Sequence, residues 1–64
     1  MVSDVDIFRA ADLLIHRHGA DALIEAARLL DVSLDRADLD ARLVWSRVRR
    51  AIVGLQAPAS SSLH

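Results

Sequence analysis

Apolar residues recur along this chain at intervals of three and four, the period of a helix buried on one side, in three stretches separated by two breaks. In the first stretch, Ile7, Phe8, Ala11, Leu14 and Ile15 share one face, and His18 stands at its end. Ser3, with Asp6 three residues on, has the form of a capping box in which Asp replaces Glu, and it starts the first helix there. Gly19 supplies the left-handed residue that commonly closes a helix. The second helix begins within residues 20–22, with Asp21 either capping it or favourably placed in its first turn. Its expected main face is Leu23, Ala27, Leu30 and Leu34, with Ile24 and Ala26 at the edges. It must end within residues 31–38, where neither Gly nor Pro marks the point.

The third stretch has the cleanest pattern. Asp38 is the best N-cap, and the helix predicted from Leu39 to Gln56 gathers Ala41, Val44, Trp45, Val48, Ala51, Ile52 and Leu55 into one apolar arc. Trp45 lies inside that arc and is expected to be the largest single contributor to the core. Arg49 and Arg50 fall towards the C-terminal end, where the helix dipole favours positive charge. Pro58 and the run Ser60, Ser61 and Ser62 then end the pattern. The fold expected is all-α: a small three-helix bundle over residues 1–56 with a Ser-rich tail over 57–64.

Length constrains this picture. A chain of 64 residues makes one domain and buries about 60% of the surface its unfolded form exposes. Without any Cys, neither disulfides nor thiolate zinc can reinforce it, which leaves regular helix packing and self-association. The formal net charge of −1 creates no global field for nucleic acid or an acidic membrane. All the acids lie at or before Asp40, whereas Arg42, Arg47, Arg49 and Arg50 follow without one, and every basic residue is Arg. The first residues carry Asp4 and Asp6 where a signal peptide needs positive charge. The longest run of apolar residues and Gly, residues 51–55, is far too short to span a bilayer. A soluble, cytoplasmic setting is expected.

Candidate chemistry is sparse. Asp12 and His16, four apart, can meet on one helical face, but His16 and His18, two apart, point to opposite sides and cannot chelate together. No metal and no cofactor are expected. Ser3 and Ser33 read as cap or turn residues, and Gly19 and Gly54 stand alone rather than in a phosphate-binding loop. No small-molecule substrate is evident, and the chain is not expected to be an enzyme.

The stretch from Glu25 through Arg28 to Ser33 resembles the first helix and turn of a helix-turn-helix of the factor-for-inversion-stimulation type. That likeness implies a second helix in the major groove, yet the following segment carries Asp35, Asp38 and Asp40, which repel phosphates, beside only Arg36 and Arg42. A small DNA-binding regulator is therefore the alternative reading, and nucleic acid is not the expected partner.

Two longer stretches carry a second likeness. Residues 11–22, with His18-Gly19-Ala20-Asp21-Ala22, and residues 38–52, centred on Trp45, resemble a family of short uncharacterised alphaproteobacterial helical proteins, a domain of unknown function. The likeness covers most of the chain between Ile7 and Gln56. It departs at Ala37 and Ala41, where that family tends to have Gly, and the link from Arg28 to Asp38 is about one residue longer. The resemblance implies a fold and a bacterial origin; it assigns no activity and no ligand-binding residue.

Several apolar residues fall off the main faces: Leu13, Leu29 and Val32 singly, and Leu39, Leu43 and Val53 on one narrow stripe of the third helix, interrupted by Ser46 and Arg50. Scattered apolar residues are ordinary, but a second stripe on so small a protein marks a partner surface. Leu39, Leu43, Val53 and Arg50 are the candidate interface, and the function expected is a non-enzymatic interaction module that forms a homodimer or docks on another protein.

Overall fold

The computed structural model describes residues 3–57, which form three α-helices: α1 (Asp4–His18), α2 (Ala22–Asp35) and α3 (Leu39–Gln56), with a short 3-10 turn (Gly19–Asp21) between α1 and α2. No strand occurs among the described residues, so the chain is all-α. No helix among them is long and apolar enough to cross a membrane. The Ser-rich tail read from the sequence lies, beyond Ala57, outside the described residues.

The helix ends follow from local chemistry. The Ser3 side chain accepts a hydrogen bond from the Asp6 amide at 3.3 Å, satisfying one of the first-turn donors that the helix itself cannot pair. The Ser3 hydroxyl in turn donates to the Asp6 carboxylate at 3.1 Å. Gly19 closes α1 at φ 56° and ψ −123°, with its amide on the Ile15 carbonyl. Asp21 occupies the position before α2 without a capping hydrogen bond from its side chain, so its contribution is charge near the positive end of the helix dipole.

The α2–α3 connection is tight. The Asp38 amide donates to the Ser33 carbonyl at 2.9 Å and the Ala37 amide to the Leu34 carbonyl at 3.1 Å. These are the paired bonds of a Schellman motif, and Ala37 holds the left-handed position it requires, at φ 54°. Asp38 then caps α3 through its side chain, which accepts from the Ala41 amide at 3.0 Å.

The buried core is Ile7 and Ala11 from α1, Ala22 and Ala26 from α2, and Val48 and Ile52 from α3. Three of these six are Ala, which lets the helices approach closely and leaves larger side chains to close around the seam. Leu14, Ile15, Leu23, Val44 and Trp45 do so, each half-buried against the core. Arg47 and Arg50 line a groove with Asp4, and Gln56 donates to the Gly19 carbonyl at 3.0 Å. The Gln56 bond ties the end of α3 to the turn that closes α1.

Four sequence expectations about the core are corrected. The buried face of α2 is Ala22, Ala26 and Ser33 rather than Leu23, Ala27, Leu30 and Leu34; it is turned by about a quarter of a revolution, leaving Leu34 exposed. Trp45 packs on the rim, and the largest fully buried side chains are Ile52 and Val48. Phe8, expected inside, is 53% exposed, and Leu55 is likewise exposed. Ser33, read as a cap or turn residue, is buried inside α2, where its hydroxyl donates to the Leu30 carbonyl at 2.7 Å. That bond satisfies the hydroxyl and makes burial tolerable.

Candidate interaction surface

On α3, the residues facing the core and the residues of the second stripe lie on opposite sides. Val48 and Ile52 are fully buried, whereas Leu39, Leu43 and Val53 are 71%, 56% and 52% exposed. Ser46 and Arg50, which interrupt the stripe, are exposed as well. Positions 39, 43, 46, 50 and 53 follow one another in alternating steps of four and three, the spacing that keeps a seam on one side of a helix over several turns. All four residues singled out from the sequence are thus on one helix and one stripe.

A further feature was not anticipated. Ile7, Phe8, Ala51 and Leu55 form the apolar part of an open groove of about 580 Å³ between α1 and α3, which Asp4, Arg47 and Arg50 also line. The sequence carried a faint signal for it, because Phe8 lies at the edge of the α1 face and Gly54 leaves space beside Leu55. Arg50 belongs to both the groove and the stripe.

The ionic groups elsewhere are local. Arg28 donates from Nε and Nη2 to the carboxylate of Glu25 one turn before it. This hydrogen bond is the main cause that lowers the Glu25 pKa from its ordinary value and raises that of Arg28. His16 sets Nδ1 at 2.8 Å from the Asp12 backbone carbonyl and 3.5 Å from its carboxylate, with both side chains exposed. Among the described residues no three His, Asp or Glu side chains gather around a point that can hold a metal ion. Arg42, Arg47, Arg49 and Arg50 make no ion pair among the described residues.

Comparison with protein-family models, with curated proteins and with solved structures finds no match to this chain.

Proposed function

We propose that this chain is a small, non-enzymatic protein-interaction module: a three-helix bundle of bacterial, cytoplasmic origin that works by presenting the outer face of α3. The observation that carries this reading is the exposure of three large apolar side chains, Leu39, Leu43 and Val53, on the stripe directly behind the core-facing residues. No rotation of α3 buries both sets within one chain, so the second is free for another molecule to cover.

Magnitudes favour a weak and reversible association. Complete burial of an exposed Leu or Val is worth about 1.5–3 kcal/mol. Three partly exposed residues on each side of a symmetric contact therefore supply about 5–10 kcal/mol, comparable to the cost of association itself. Arg50 adds a stem that packs and a guanidinium that can reach a carboxylate.

Dilution followed by methyl NMR tests this. The methyl signals of Leu39, Leu43 and Val53 are expected to shift with protein concentration, while those of Ile24, exposed on α2, stay fixed. Concentration-dependent shifts confined to other faces contradict the reading; their complete absence removes self-association and leaves docking on a different protein.

A further inference from the structure

Resting on that reading, we propose that the occupant of the outer face of α3 is a second copy of this chain, its own α3 running in the opposite direction, with the two-fold axis passing beside Ser46.

Three features of the stripe point to this arrangement. Leu39 and Val53 each lie seven residues from Ser46, so reversing the helix about Ser46 superposes the ends of the seam. Leu39 then meets the partner's Val53, and Leu43 packs against the stem of the partner's Arg50. Ser46 itself is exposed and small, which allows two helices to cross closely at the axis.

The charges decide the direction. Asp38 and Asp40 stand at the start of α3, whereas Arg47, Arg49 and Arg50 occupy its later half and have no ion pair among the described residues. Antiparallel pairing sets Asp40 near the partner's Arg47 and Arg50, and symmetry repeats the match at the other end. Parallel pairing instead faces Arg50 with the partner's Arg50 in the middle of an apolar seam, where like charges are least screened. Helix dipoles also oppose the parallel form. One contact runs against the scheme: Arg42 approaches the partner's Arg49. Both side chains are exposed and long enough to turn into solvent.

The chain has no Cys, so single introduced thiols report the geometry directly. A disulfide requires Cα atoms within about 7 Å, whereas the two copies of residue 39 in the antiparallel pair lie roughly 20 Å apart at about 1.5 Å per residue. Under mild oxidation, Ser46→Cys is expected to link to itself. Leu39→Cys and Val53→Cys are expected to remain unlinked alone and to link to each other when mixed. Arg17→Cys, exposed on α1, sets the background from random collision. Self-linking of Leu39→Cys and of Val53→Cys would show a parallel pair and overturn the inference. Linking no faster than Arg17→Cys in a protein that still sediments as a dimer would place the contact on another face and overturn it too. A wild type that stays monomeric at high micromolar concentration removes the homodimer altogether, a result distinct from a dimer of the wrong geometry.

Discussion

At Ala37 the backbone takes φ 54°, and at Gly19 it takes φ 56° with ψ −123°. An L-residue in the left-handed region sacrifices about 1–2 kcal/mol, so Ala37 costs the fold something that Gly19 does not. Ala37→Gly is expected to raise stability by roughly 0.5–1 kcal/mol, the strain relieved being partly offset by the greater freedom of Gly in the unfolded chain. Gly19→Ala should lower it by about 1–3 kcal/mol, because its dihedral pair suits Gly alone; no neighbouring atom obstructs a Cβ there. Urea titration of both variants checks the two signs together. Gly19 was legible in the sequence as a helix stop. Ala37 was not, since a left-handed Ala leaves no mark in a sequence. The Glu25–Arg28 pair sets a pH dependence. A carboxylate whose folded pKa lies below its unfolded value stabilises the fold above the unfolded pKa, and that contribution is lost as pH falls through the folded one. Glu25→Gln is therefore expected to flatten the acid side of the stability profile slightly, the pair being at the surface. An unchanged acid limb contradicts this.

At the scale of the helix, the pattern of α3 was read almost completely: its span from Leu39 to Gln56, its Asp38 cap and its two opposed stripes all recur in the structure. The N-terminal cap and Gly19 stop of α1 were equally legible. The rotation of α2 was misread for a physical reason. Periodicity weighs Leu above Ala, but helices that come close need Ala at the contact, and the large side chains then flank it, as Leu23 does. The same logic moved the centre of the α3 core from Trp45 to Val48 and Ile52. Ile52→Ala is accordingly expected to cost about 2–5 kcal/mol, most or all of what a domain of this size possesses, and to abolish cooperative thermal unfolding. Trp45→Ala should weaken the fold less than full burial implies, and native Trp emission should lie between the buried and exposed extremes. Cooperative unfolding of Ile52→Ala with a near-native midpoint would place the core elsewhere.

For the whole molecule, an Ala-centred core across three short helices leaves large apolar residues outside: on the α3 stripe, in the Phe8–Leu55 groove, and at Val5, Leu13, Ile24 and Leu34. The stripe was legible because it lies on one regular helix; the groove was not, because it forms only when α1 and α3 come together. A small domain without disulfides gains stability by covering such surface in a dimer, so its melting temperature should rise with protein concentration. Sedimentation equilibrium of the wild type and of Leu43→Asp over a wide concentration range tests this most directly. The wild type is expected to shift from monomer towards dimer as concentration rises, while Leu43→Asp, with unchanged helical circular dichroism, stays monomeric. A wild type monomeric at every concentration, or a Leu43→Asp variant that dimerises as well as the wild type, contradicts the assignment of the α3 stripe as the interface of a homodimer.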